Sequence, residues 1–146
     1  MSRLTETKCA YDKLVNLLDQ EILNRRGSSR DLERFRETLD VSFYLLAWSQ
    51  FEHLVKNEAR ELIEVHAAVG SVDATAWKYM LTNVKSLSLR KQLELIFHAN
   101  HKTLTSLNKD YDVRNDAAHD YKLLPKEARD VSTWIDSLEK LVDKFN

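Results

Sequence analysis

The sequence predicts an all-α fold in which residues 1–146 form one domain, an up-and-down bundle of four to five helices. Glycine occurs twice and proline once in 146 residues, so the chain lacks the turn residues that many short strands would need. Apolar residues recur at spacings of three and four along most of the chain, which is typical of amphipathic helices. The length suits one continuous core.

Two long helices account for the first half of the sequence. The first is predicted to end near Gly27, because glycine readily adopts the left-handed conformation that closes a helix. Ser28 and Ser29 are N-cap candidates for the second helix. That helix should run from Asp31 to about His66, since no glycine or proline interrupts its apolar pattern.

Shorter helices are predicted next. Gly70-Ser71 should close the long helix, and Asp73 or Thr75 should open a short one. Ser86 or Ser88 can cap the helix after that, because a serine oxygen accepts a hydrogen bond from a backbone N–H of the first turn.

Two more helices complete the prediction. One begins at about Thr103 and carries the segment Arg114 to His119 at its C-terminal end. Pro125 is predicted to lie in the first turn of the final helix, where its missing N–H donor is not needed. The apolar residues of this final helix are Ala128, Val131, Trp134, Ile135, Leu138, Val142 and Phe145.

Composition predicts a soluble cytoplasmic protein. Cys9 is the only cysteine, so no disulfide can form within the chain, and the first residues do not resemble a secretory signal. No stretch approaches the roughly 18 uncharged apolar residues that a membrane span requires. The formal net charge is −1, which excludes a large basic field for nucleic acid. Any RNA contact must therefore be local or be created by assembly.

One short segment carries a possible activity. Arg114-Asn115-Asp116-Ala117-Ala118-His119 resembles the signature of the HEPN superfamily, an arginine that is usually followed by a polar residue, with a histidine a few positions further on. The resemblance implies a helical bundle, a symmetric homodimer and a ribonuclease site in a cleft between the two copies. It also implies a role in a toxin–antitoxin or phage-defence system.

The chemistry of RNA cleavage suits these residue types. Without a metal ion, a base must take the proton of a ribose 2′-hydroxyl and an acid must protonate the leaving oxygen; His119 can do both because histidine titrates near neutrality. Arg114 can hold the phosphate through paired hydrogen bonds. Asn115 could orient the imidazole or bind phosphate, and Asp116 could fix the tautomer of the histidine. No cofactor and no metal ion is expected.

A purely structural interpretation of the same residues stays open. Arg114 can pair with Asp110 or Asp112 on a solvated helix, and His119 can interact with the helix C-terminus, where a cation is favoured. The alternative function is a non-catalytic HEPN module that binds a partner protein, such as a nucleotidyltransferase antitoxin, or a nucleotide. A plain helical interaction protein without any site is a third possibility.

Two residues outside the core motif are further candidates. Tyr121 extends the pattern to one that resembles HEPN toxins paired with a minimal nucleotidyltransferase antitoxin, in which this tyrosine is the site of nucleotide modification. Its alternative is packing in the loop before Pro125. Glu52 resembles an acidic residue that several HEPN families direct toward the site, and its alternative is an ion pair with Lys56.

The sequence does not predict a metal site. Glu94, His98 and His101 follow one another at helical spacings and could gather a metal ion on one face. The segment lies at a predicted helix end, however, and no fourth ligand is evident.

Overall fold

A computed structural model describes residues 2–24, 28–70 and 73–145. Within these ranges the chain forms α-helices and short 3₁₀ turns and no β-strand, which confirms the all-α prediction. The six α-helices are α1 (Arg3–Leu23), α2 (Ser29–Ala68), α3 (Asp73–Thr82), α4 (Leu89–Phe97), α5 (His101–His119) and α6 (Val131–Val142). The described residues thus form more helices than the four to five of the predicted bundle, although the short helices α3 and α4 were each predicted from their caps.

Hydrogen bonds at the helix starts explain several boundaries. The Ser88 hydroxyl accepts from the backbone N–H of Lys91 at 3.3 Å, which confirms Ser88 as an N-cap. Asn100 does the same for α5, since its side-chain oxygen accepts from Thr103 N–H at 3.1 Å. Helix α5 therefore begins slightly before the predicted Thr103. The predicted closure at Gly27 lies outside the described residues, as does Ser71, whereas α2 ends at Ala68, just before the predicted closure at Gly70.

The prediction for Pro125 was wrong. Pro125 precedes a 3₁₀ turn at Lys126–Ala128, and the final helix begins only at Val131. The true N-cap is Asp130, whose Oδ1 accepts from Thr133 N–H at 3.2 Å. The first backbone N–H groups of a helix have no partner within the helix, and an aspartate side chain can accept a hydrogen bond from one of them. A proline only lacks an N–H of its own, so the helix begins after Asp130 and not at Pro125.

The described residues group into two compact units. The first unit consists of the described residues within Met1–Phe51 and Asp110–Lys144. The second consists of the described residues within Glu52–Lys109, together with Phe145. The prediction of a single domain stays a prediction. None of the described helices is both long enough and apolar enough to cross a membrane.

Each unit has its own apolar interior. In the first unit α1 packs along α6, and large side chains from both are buried. The almost fully buried side chains of this unit include Leu4, Tyr44, Trp48, Val131, Ile135 and Leu138. In the second unit the buried side chains include Val55, Ala59, Ile63, Val84, Leu93 and Leu107. Burial of these apolar stripes is what holds the helices together.

Candidate functional site

A cluster of aromatic side chains supports the C-terminal half of α5 in the first unit. Tyr44 of α2 stacks on Trp134 of α6 with ring centroids 4.1 Å apart. Trp48 is fully buried and lies 5.9 Å from Trp134 and 5.6 Å from Tyr111 of α5. Such aromatic pairs add about 0.5–1.5 kcal/mol each beyond the area that they bury. The cluster therefore fixes α5 next to α2 and α6.

Asp110 links the same three helices through hydrogen bonds. Its backbone carbonyl accepts from the Tyr44 hydroxyl at 2.9 Å, and its carboxylate accepts from the Trp134 indole N–H at 3.1 Å. Burial raises the pKa of Tyr44, so this hydroxyl keeps its proton and remains a donor at neutral pH. The helix segment that carries the motif thus rests on a defined support.

Arg114 is half-buried, and its contacts include two neighbours on its own helix. Its guanidinium carbon lies 5.7 Å from the centre of the Tyr111 ring. Its Nη1 donates a hydrogen bond to Oδ1 of Asn115 at 3.1 Å. Asn115 thus contacts the arginine of the motif, whereas the sequence suggested an imidazole or a phosphate as its partner.

His119 is the last residue of α5 and is exposed to solvent. Its imidazole makes no hydrogen bond and no ion pair with any other residue that the structure describes. Asp116 is also exposed, and no side-chain hydrogen bond joins it to His119. On an ideal helix Arg114 and His119 point about 140° apart, whereas Asn115 and His119 share a face.

The backbone after His119 turns sharply at Tyr121. This tyrosine has φ 55° and is the only non-glycine residue of the described chain with a positive φ. The backbone N–H groups of Asp120 and Lys122 both donate to the Asp116 carbonyl, at 3.0 and 3.4 Å, which closes the helix. The Tyr121 side chain is 92% exposed, so the interpretation that it packs the loop before Pro125 was wrong.

A mostly apolar groove of about 300 Å³ lies beside the end of the motif. Its lining residues are Thr38, Val41, Ser42 and Leu45 of α2, and Ala117, Ala118, Tyr121, Lys122 and Leu123 in and after α5. Among the exposed large apolar side chains of the same unit, Leu123 lines this groove, and Phe35 and Leu46 belong to the same helix as the α2 residues that line it. Together we call these residues the apolar face. A face of this kind is typical of a surface that contacts another protein.

A second cavity, of about 400 Å³, is charged, and the sequence analysis missed it. It is lined by Asp19, Ile22, Glu33, Arg36, Glu37, Asp40 and Arg129. Asp40 is buried and accepts from the Tyr11 hydroxyl at 2.5 Å, while Arg36 bridges Asp40 and Asp19. Burial raises the pKa of Tyr11, and the bond to Asp40 raises it further. The signal in the sequence was an aspartate inside the apolar pattern of α2.

The remaining candidates lie in the second unit. Glu52 is half-buried in α2, and its Oε1 is shielded from solvent. Its role beside the motif stays a prediction. Glu94 pairs with Lys91 at 3.0 Å, while His98 follows the end of α4 and His101 begins α5. These three side chains do not share one continuous helix, and the described residues contain no group of three or more His, Cys, Asp or Glu that could hold a metal ion.

Comparison with protein-family models, with characterised proteins and with solved structures found no match to this chain. The HEPN resemblance therefore rests on the residues from Arg114 to His119, with the extension to Tyr121, and on their position at the end of a long helix.

Proposed function

We propose that this chain is a metal-independent endoribonuclease of the HEPN type that cleaves RNA by attack of a ribose 2′-hydroxyl. The observation that carries the proposal is that the last two turns of α5 hold both a half-buried Arg114, hydrogen-bonded to Asn115, and an exposed His119. An ordered cation and an accessible imidazole are the two groups that this reaction requires.

The reaction needs a base, an acid and a cation, and two imidazoles with one guanidinium supply them. A neutral imidazole takes the 2′-hydroxyl proton while the 2′-oxygen bonds to phosphorus, and a protonated imidazole gives its proton to the 5′-oxygen as the P–O5′ bond breaks. Arg114 stabilises the charge on the phosphorane oxygens. The products are a 2′,3′-cyclic phosphate and a free 5′-hydroxyl. The nucleophile is already held near phosphorus by the ribose, which favours it over a free water molecule.

The two proton transfers argue for two copies of the chain. The sequence has five histidines, and only His119 lies in the first unit, so this unit offers a single imidazole to a bound phosphate. A two-fold axis at the apolar face would add His119 of the partner subunit and would cover that face. One imidazole then acts as the base and the other as the acid.

The cellular setting belongs to the same proposal and is drawn from the resemblance. A ribonuclease of this type acts as a toxin or a phage-defence effector in the cytoplasm and is restrained by an antitoxin. Tyr121 fits the position of the modified tyrosine, because its ring is 92% exposed and accessible to a nucleotidyltransferase partner. The same exposure suits the second candidate function, a non-catalytic HEPN module that binds a partner protein, such as a nucleotidyltransferase antitoxin, or a nucleotide.

The test is cleavage of single-stranded RNA by purified protein with and without a chelator. We expect equal cleavage in both, 2′,3′-cyclic phosphate ends, and no cutting where the scissile ribose is 2′-deoxy. His119→Ala should abolish cleavage, whereas His101→Ala, an exposed histidine at the other end of α5, should not. Cleavage that depends on added divalent ions, or that survives His119→Ala, would refute the mechanism. Binding without cleavage would favour the second candidate function.

The oligomeric state provides an independent check. We expect a dimer at micromolar concentration in sedimentation experiments, and Leu46→Glu on the apolar face should give monomers because it places a charge in the contact. Glu64→Lys, an exposed charge change in the second unit, is the control that should remain dimeric. A parent protein that is monomeric at this concentration would rule out the shared cleft.

A further inference from the structure

Tyr111 is the aromatic residue that lies against the arginine of the motif. It precedes Arg114 by one helical turn, and the guanidinium carbon is 5.7 Å from the ring centre. This distance is within the roughly 6 Å at which a cation is attracted by the face of an aromatic ring. The contact therefore restricts where the guanidinium can lie.

The ring that holds the arginine is itself held. Tyr111 lies 5.6 Å from Trp48, a residue with no exposed surface, so its position is set by the interior of the first unit. A second restraint comes from Asn115, whose Oδ1 accepts a hydrogen bond from Arg114 Nη1 at 3.1 Å. The contact with the ring and the hydrogen bond through Nη1 are two separate restraints on the planar guanidinium.

We propose that Tyr111 is a positioning residue, which with Asn115 orders the Arg114 guanidinium before a phosphate binds. That the ligand is a phosphate rests on the proposed function, whereas the ordering of Arg114 rests on its contacts with Tyr111 and Asn115. A free arginine side chain loses considerable rotamer entropy when it clamps a phosphate, and an ordered one loses less. Removing the Tyr111 ring should therefore weaken phosphate binding although the ring does not touch the phosphate.

The first experiment measures the order of Arg114 in the full chain without any RNA. NMR 15N relaxation of the side-chain Nε–H groups gives an order parameter for each arginine. We expect a higher order parameter for Arg114 than for Arg34, an exposed arginine of α2. Tyr111→Phe, which keeps the ring, should leave Arg114 ordered; Tyr111→Leu and Asn115→Ala should make it more mobile. An Arg114 as mobile as Arg34 in the parent protein would overturn the proposal, whatever the stability of the variants.

The second experiment measures the consequence for binding. The probe is a single-stranded oligodeoxynucleotide, which offers phosphates but no 2′-hydroxyl. Tyr111→Leu should weaken binding about two- to fivefold and Tyr111→Phe should not, as expected from the size of one cation–π contact. In an Arg114→Ala background, Tyr111→Leu should have no further effect. An equal loss in that background would mean that the ring acts through the fold, and it would overturn the proposal.

These measurements separate the two proposals. If the parent protein neither binds the oligonucleotide nor cleaves RNA, the proposed function fails, while an ordered Arg114 that Tyr111→Leu releases still supports the positioning role. If RNA is cleaved but Tyr111→Leu leaves both Arg114 order and oligonucleotide affinity unchanged, the positioning role fails and the proposed function stands. Thermal unfolding of each variant identifies any loss that comes from unfolding.

Discussion

Replacing Tyr121 by glycine should stabilise the protein. Tyr121 has φ 55°, a conformation that costs an L-amino acid other than glycine about 1–2 kcal/mol. Its side chain is 92% exposed, so removal of the ring sacrifices little packing. Glycine also gives the unfolded chain more freedom, which offsets about 0.5–1 kcal/mol. The difference between these two ranges spans about 0–1.5 kcal/mol, so the expected net gain in the free energy of unfolding is about 0.5–1 kcal/mol, the middle of that span.

The assay is thermal and urea unfolding followed by far-ultraviolet circular dichroism. For a chain of this length, the gain corresponds to a rise in Tm of roughly 1–4 °C. Tyr121→Ala is the matched control for the ring, because it retains the strained backbone, and it should unfold like the parent. Tyr79→Gly is the control for glycine itself; this tyrosine is exposed within α3, where glycine should destabilise by about 0.5–1 kcal/mol.

One result would refute the reasoning. If Tyr121→Gly lowers the free energy of unfolding as Tyr79→Gly does, then Tyr121 either lacks the left-handed conformation or makes a contact that stabilises the fold. If the gain is found, the tyrosine is retained at an energetic disadvantage. Strain of this kind is typical of positions that serve a function other than stability, such as presenting a side chain to a partner.

Three further predictions concern stability. Ile135→Ala should lower the free energy of unfolding by about 2–5 kcal/mol in urea titrations, because Ile135 is fully buried, and a loss below about 1 kcal/mol would contradict its core position. Asp130→Ala should lower the free energy of unfolding by about 1 kcal/mol, because it removes the N-cap of α6. Asp130→Ser should lower it much less, because serine can also cap a helix, and equal losses for the two variants would exclude capping. Burial raises the pKa of Tyr44 in the folded protein above the value of about 10 that it has in the unfolded chain. The contribution of Tyr44 to the free energy of unfolding is therefore fully present below the unfolded pKa, and it is lost as pH rises through the folded pKa. Tyr44→Phe should therefore reduce the decline of stability above about pH 10, and an unchanged alkaline slope would contradict the burial of this hydroxyl.

The helices could largely be predicted from the sequence because their signals are local. The absence of breakers marked the long helix Ser29–Ala68, and the cap at Ser88 was visible as a serine before an amphipathic segment. The start of α6 was misplaced because proline and aspartate are both helix-start signals. Choosing Asp130 over Pro125 requires knowing which backbone N–H groups are unsatisfied.

The site was predictable only as a pattern of residue types. Arg114 and His119 were identified from their spacing, but the contact of Arg114 with Tyr111 depends on where the Tyr111 ring lies beside Trp48, a residue distant in sequence. The left-handed backbone of Tyr121 runs against the preference of tyrosine, so no propensity could indicate it. Asp40 stands visibly inside the apolar pattern of α2, but its burial could not be predicted because its hydrogen-bond partner, Tyr11, is distant in sequence.

The distance between the two histidines of α5 bears on how many copies of the chain the reaction needs. His101, the other histidine of α5, lies eighteen residues before His119, about 27 Å away along a straight helix, so it cannot serve the same phosphate. A single α5 therefore presents one imidazole near Arg114, while cleavage by 2′-hydroxyl attack needs both a base and an acid. If the proposed reaction is correct, the rate per chain should fall on dilution as dimers separate, whereas the fold of each chain should not change. A rate per chain that stays constant well below the dimer dissociation constant would show that one copy suffices, and the acid would have to be sought among other groups near His119, beginning with Lys122 and Tyr121.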